Sequence, residues 1–115
     1  MRIDVKARNG VVVDDDIRAR IEKRFEKVAK QVSELAELEV ELTGEKNPSI
    51  KDRFVAEANL RLKGTTLRAR ESADNMAHAV NEVADDLARQ VKRHREKRRG
   101  RRVAQAPDSR PAASA

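Results

Sequence analysis

The chain has 115 residues, of which 38% are hydrophobic and 40% charged, a balance that fits one domain followed by a polar tail. It has no cysteine, which excludes a disulfide scaffold and a thiolate zinc site, and no Trp or Tyr, so aliphatic side chains and alanine must fill any core. No apolar run approaches the ~20 residues that span a bilayer, and Met1-Arg2-Ile3-Asp4 lacks the apolar stretch of a signal peptide, so a cytoplasmic protein away from membranes is expected.

In chain order, Ile3, Val5 and Ala7 alternate with Arg2, Asp4, Lys6 and Arg8, the pattern of a half-buried strand that Asn9-Gly10 ends. Asp14 is placed to cap a helix, with Asp15 and Asp16 favourable in its first turn. Ile17, Ile21, Phe25, Val28 and Val32 then fall within one arc of roughly 80°, which predicts a helix from about Asp15 to Val32. Residues 35–45 alternate again through Leu38, Val40 and Leu42, and a polar loop with Asn47-Pro48 follows from Glu45 to Asp52. Phe54, Ala56, Ala58, Leu60 and Leu62 line one face of a third strand over 53–63. Lys63-Gly64-Thr65 reads as a hairpin turn into a fourth strand over 66–71. Ser72 or Asp74 is the expected cap of a second helix with an apolar stripe of Met76, Val80, Val83, Ala84, Leu87 and Val91. Beyond Val91 that helix either projects from the body or frays.

The predicted order is β-α-β-β-β-α, an α+β domain. Each strand has one apolar face and each helix one apolar stripe, so the economical packing lays both helices on one face of a four-stranded sheet. The first strand, helix and second strand would form a right-handed parallel crossover. The open face would carry Arg2, Lys6, Arg8, Arg61, Arg68 and Arg70 among Glu37, Glu39 and Glu41. The domain is expected over 1–98, with a basic, then Ala/Pro/Ser-rich disordered tail over 99–115.

Nothing in the chain suggests catalysis or a cofactor. His78 and His94 lie on polar or projecting parts of the second helix, and no phosphate-binding glycine loop is present. Asp14, Asp15 and Asp16 are adjacent at a helix start and do not converge on one metal ion. Asp85 and Asp86 are neighbours on a helix and cannot face each other as an acid/base pair. We therefore expect no enzyme activity, no metal and no small-molecule substrate.

The charge is more telling. Net charge is +6, but residues 1–88 carry 16 basic and 18 acidic side chains, whereas residues 89–102 carry nine basic ones against Glu96 alone. Such a basic end suggests a polyanionic partner. Arg20, Lys23, Arg24, Lys27 and Lys30 fall on one flank of the first helix, with Glu22 and Glu26 on the other. Arg89, Lys92, Arg93, Arg95, Lys97, Arg98 and Arg99 crowd the end of the second, continued by Arg101 and Arg102. With the helices side by side these cations would form one patch able to neutralise phosphates along a nucleic acid. The lack of exposed aromatics argues against base stacking and for recognition of RNA backbone and shape.

At this point the chain resembles the ribosome hibernation promoting factor family, also called ribosome-associated inhibitors or ribosomal subunit interface proteins. The resemblance covers about residues 1–98 and rests on the order and spacing of several pieces. In the first half these are Arg8-Asn9, Val13-Asp14, Ile17-Arg18 and Ile21-Glu22-Lys23-Arg24-Phe25. In the second they are Glu71-Ser72-Ala73-Asp74 before Met76, Ala79-Val80-Asn81-Glu82 and Leu87-Ala88-Arg89-Gln90-Val91-Lys92. It implies binding to the small ribosomal subunit and its rRNA, in the channel used by mRNA and tRNA, with the protein monomeric when off the ribosome. The family role would fall on Lys23, Arg24, Lys27, Arg89, Lys92 and the cations just beyond. Three departures stand out: Ala77 where the family commonly has Tyr, Asp86 where it commonly has Lys, and an extra Asn75 before Met76. Long members carry a second domain that pairs ribosomes. This chain reads instead as a short or truncated member. Two other readings stay open, a general structured-RNA or double-stranded-RNA module, and a protein adaptor that uses a sheet edge.

Overall fold

The computed structural model describes residues 1–44 and 53–105, with side chains described through Lys97. The elements are β1 (Arg2–Arg8), α1 (Asp15–Arg24), α2 (Glu26–Ala29), β2 (Glu37–Gly44), β3 (Phe54–Leu62), β4 (Thr65–Ala73) and α3 (Met76–Gln105). The strands form one sheet in the order β1-β2-β3-β4, with β1 parallel to β2 and the other two pairings antiparallel. This is the expected plan, with the first helical run in two pieces. The loop expected at 45–52 and residues 106–115 of the expected tail lie outside the described residues.

Local chemistry accounts for the joints. After β1 the chain reverses at Asn9 and Gly10, both at positive φ (55° and 78°), and Val11 N donates to Arg8 O. Asparagine and glycine are the residues that tolerate this conformation best. Asp14 caps α1 as expected, its Oδ1 accepting from Ile17 N at 2.8 Å. Between β3 and β4 the register leaves a two-residue loop, Lys63 and Gly64, with Gly64 at φ 83°.

Three expectations are corrected. The first helix does not run unbroken to Val32. Phe25 leaves helical geometry at φ −87°, ψ 0°, a four-residue turn follows, and the helix ends at Ala29. Apolar periodicity cannot reveal such a break, because Phe25 and Val28 face the core on both sides of it and are fully buried. The cap of α3 is neither Ser72, which belongs to β4, nor Asp74. It is Asn75, whose Oδ1 accepts from His78 N at 2.8 Å. The residue that looked inserted therefore starts the helix. Finally, the first residues of the expected disordered tail are helical, since α3 projects beyond Val91 and continues to Gln105. Arg, Lys, Glu and Gln are good helix formers, and propagating a helix from an anchored segment avoids a new nucleation step.

The core lies between the sheet and the helices. Its largest fully buried members are Ile21, Phe25 and Val28 from the first helical run, Leu38, Val40 and Leu42 from β2, Leu60 from β3, and Val80, Val83, Leu87 and Val91 from α3, the last four all within 1% exposure. On β3 and β4 the corresponding positions are mostly small, Ala56, Ala58, Ala69 and Ala73, and α3 packs directly over them. α1 and α2 lie alongside α3. Among the described residues no polar or charged side chain is buried. One further hydrogen bond closes the β4 edge, where Gln90 Nε2 of α3 donates to the Arg68 carbonyl at 2.6 Å. Phe25→Ala removes the largest fully buried side chain. It is expected to cost about 3–5 kcal/mol, read as a lower denaturation midpoint with an unchanged slope in urea.

Candidate nucleic-acid interface

The two outer surfaces of the domain carry charge differently. On the open face of the sheet, the register sets β2 acids between the basic residues of its neighbours. Lys6 pairs with Glu39 at 3.7 Å, Arg8 with Glu41 at 3.2 Å and Arg61 with Glu37 at 3.8 Å. Two of these are diagonal to the register partner, as long side chains across strands allow. Glu57 also stands on this face, opposite Glu41 and Arg70. Much of its positive charge is therefore answered within the face.

The helix surface is built around the seam between α1/α2 and α3. Three polar links cross it. Arg20 Nη1 donates to Asn81 Oδ1 at 3.4 Å, Lys27 pairs with Asp85, and Arg95 Nη1 donates to Gln31 Oε1 at 3.2 Å. The partners ascend together in both helical runs, so the runs are parallel and their cations meet along the whole seam. Lys92, Arg95, Glu96 and Gln31 surround a small depression of about 180 Å³ at its lower end.

Asp85 sits at the centre. The hydrogen bond from Lys27 and the charges of Lys27, Arg89 and Arg24 hold its carboxyl below the usual value of 3.8, against a smaller opposing effect of burial. Cations from α1, α2 and α3 thus surround one anion, which is the arrangement expected if the two basic helix flanks share a surface. Lys27 and Asp85 are 45% and 51% exposed, so the pair contributes at most about 1 kcal/mol to stability.

The expected site residues fall into distinct places. Arg20, Lys27 and Arg95 reach across the seam to Asn81, Asp85 and Gln31, and Arg24 and Arg89 flank Asp85. Lys92 borders the lower depression. Lys30 turns back to Glu26 at 3.8 Å. Lys23, Arg93 and Lys97 are exposed and make no ion pair among the described residues. Arg98 and Arg99 lie on α3, but their side chains fall outside the described ones. The reading from sequence missed Asp85, Asn81 and Gln31 as members of the seam. A signal existed for the first: Asp85 precedes Arg89 by four residues, which places both on one helix face.

Among the described residues no three His, Asp or Glu side chains converge on a point that could hold a metal, and no helix is long and apolar enough to cross a membrane. The lowered pKa of Asp85 fixes the sign of a pH effect. A carboxyl depressed in the folded state stabilises above its unfolded pKa and loses that contribution as pH falls through the folded value. Wild type should therefore exceed Asp85→Asn in stability by up to about 1 kcal/mol at pH 7. The difference should shrink to nothing once the pH is well below 3.8, as followed by paired thermal melts.

Residues 3–99 match the family model described as Sigma 54 modulation protein / S30EA ribosomal protein. The chain is 30% identical over 96 residues to a ribosome hibernation promotion factor of a Picosynechococcus species, a match that covers 83% of this chain and 50% of that protein. It is 31% identical over 84 residues to a ribosome hibernation promoting factor of Acinetobacter guillouiae, covering 69% of this chain and 74% of that one. The chain thus spans about half the length of the first of these relatives. Two solved structures share its fold. A ribosomal subunit interface protein from Coxiella burnetii has a TM-score of 0.69 at 20% identity, with 84% of this chain and 99% of that chain covered. The N-terminal domain of Thermus thermophilus Protein Y has a TM-score of 0.70 at 23% identity, with 82% and 99% covered. The chain belongs to the Sigma 54 modulation protein / S30EA ribosomal protein family.

Proposed function

We propose that this chain is a ribosome-bound translation silencer, a binding protein and not an enzyme. It engages the small ribosomal subunit through the α1/α2–α3 surface and occupies the path of mRNA and tRNA, so that the ribosome stays idle. Family membership and the hibernation factors among its relatives support a ribosomal role. The observation that carries the RNA-binding role is the gathering of Arg20, Arg24, Lys27, Arg89, Lys92 and Arg95 along one seam. The opposite surface, where acids answer the bases, is less suited to a polyanion. Exposed lysines and arginines on rigid helices gain affinity by releasing counterions from phosphates, and the rigid body supplies the steric block.

The alternative of a general double-stranded-RNA module draws on the same layout of two parallel helices over one sheet face. The two readings diverge in preference. A silencer favours intact small subunits, whereas a duplex module binds a plain RNA duplex equally well.

Replacing Arg89, Lys92 and Arg93 together by Glu is expected to abolish co-sedimentation with small subunits and to relieve inhibition of a cell-free translation extract. Circular dichroism should stay unchanged, since all three side chains are exposed or half-exposed. Replacing the same three by Gln should flatten the plot of log affinity against log salt by up to about 2.7, or ~0.9 for each phosphate no longer neutralised. Retention of the Glu variant on subunits at physiological salt would sink this assignment of the surface.

A further inference from the structure

Asp85 differs from its neighbours Glu82 and Asp86, and Glu96 lies at the far end of the seam beside Lys92 and Arg95. Glu82 binds His78 one turn back on the same helix, and Asp86 accepts from Gln90, the residue that reaches the β4 edge. Asp85 instead pairs across the seam, with Lys27, where Arg24 and Arg89 also bear on it. Both members of the pair are about half exposed, the regime in which an ion pair adds little to the fold. Its effect on the surface is larger. It cancels one cation in the middle of the basic seam and leaves a carboxylate where a phosphate bridging the helices would rest.

We propose that Asp85 is a selectivity-determining residue of this surface. It masks Lys27 and repels phosphate from the middle of the seam, so that generic RNA is disfavoured. Folded RNA whose phosphates fall to either side, near Lys23 and Lys30 or near Lys92 and Arg93, is accepted. The inference rests on the RNA-binding role proposed above.

The selectivity is electrostatic. A regular duplex carries closely spaced charge, about one per 1.7 Å of axis in DNA, so it cannot lie across the seam without bringing phosphate within a Debye length, about 8 Å, of the carboxylate. An irregular RNA surface can leave a gap there. Specificity obtained by penalising the wrong partner needs a repulsive group inside an otherwise attractive surface. Asp85 has that position.

The test compares wild type, Asp85→Asn and Asp85→Glu for binding to a plain RNA duplex and to intact small subunits, between about 50 and 200 mM salt, with thermal melts as a folding control. Asp85→Asn frees Lys27 and removes the repulsion. Its duplex affinity should rise, and its salt slope should steepen by about 0.9, an extra loss of about 3.5-fold across that salt range. Its affinity for subunits should rise less, so the subunit-to-duplex ratio falls, while Asp85→Glu keeps the wild-type ratio. An unchanged slope and ratio, equal gains on both RNAs, or a rising ratio each overturn the proposal and reduce Asp85 to a brace between helices. Wild type that binds duplex but not subunits defeats the ribosomal reading alone, because the duplex slope of Asp85→Asn is still measured. Wild type that binds neither overturns both.

Discussion

The sheet has a single apolar face, and both helical runs must share it. That constraint organises the rest of the molecule. β2 offers Leu38, Val40 and Leu42, whereas β3 and β4 offer alanines at 56, 58, 69 and 73, which leave room for α3 to approach closely with Val80, Val83 and Leu87. With two phenylalanines in the whole chain, the layer is filled mainly by aliphatic side chains, whose attractions are each small and together dominant. No polar side chain among the described residues is buried, so their charges stay on the outside of the domain.

The two outer surfaces then diverge. Across the strands, β2 places Glu37, Glu39 and Glu41 within reach of Lys6, Arg8 and Arg61, and the charge is largely answered in place. Over the helices, side-by-side packing brings the basic flank of α1 and α2 against that of α3, with Asp85 as the acid at the crossing. Neither flank is unusual on its own. Their adjacency is a product of the tertiary packing, and it is what gives a small domain of this family a concentrated positive surface.

Much of the architecture was legible in the sequence, because period and turn chemistry agreed along most of the chain. The alternation of Ile3 and Val5, though not the burial expected of Ala7, the Asp14 cap, the Gly64 turn and the stripe from Met76 to Val91 reappear in the structure. What escaped depends on competition between local options. Ser72, Asp74 and Asn75 can all cap a helix, and the choice fell to Asn75 only because β4 keeps its pairing through Ala73. The break at Phe25 preserves the apolar stripe and so leaves no trace in periodicity. Residues 99–105 were expected in the disordered tail on composition, whereas their Arg and Gln continue the helix. For the surface, each flank was readable alone. The ties from Arg20 to Asn81, Lys27 to Asp85 and Arg95 to Gln31 link residues far apart in the chain, which no local pattern encodes.

The break at Phe25 also joins inside to outside. Its ring is fully buried, and the same residue is the point where helical geometry lapses before Glu26, so the direction taken by Lys27 and Lys30 follows how that ring seats. The distance between the positive charges on the two helices is therefore gauged from within. A change of shape in the oily layer would respace charges it never touches, and interior packing becomes part of what sets the spacing of charge on the surface.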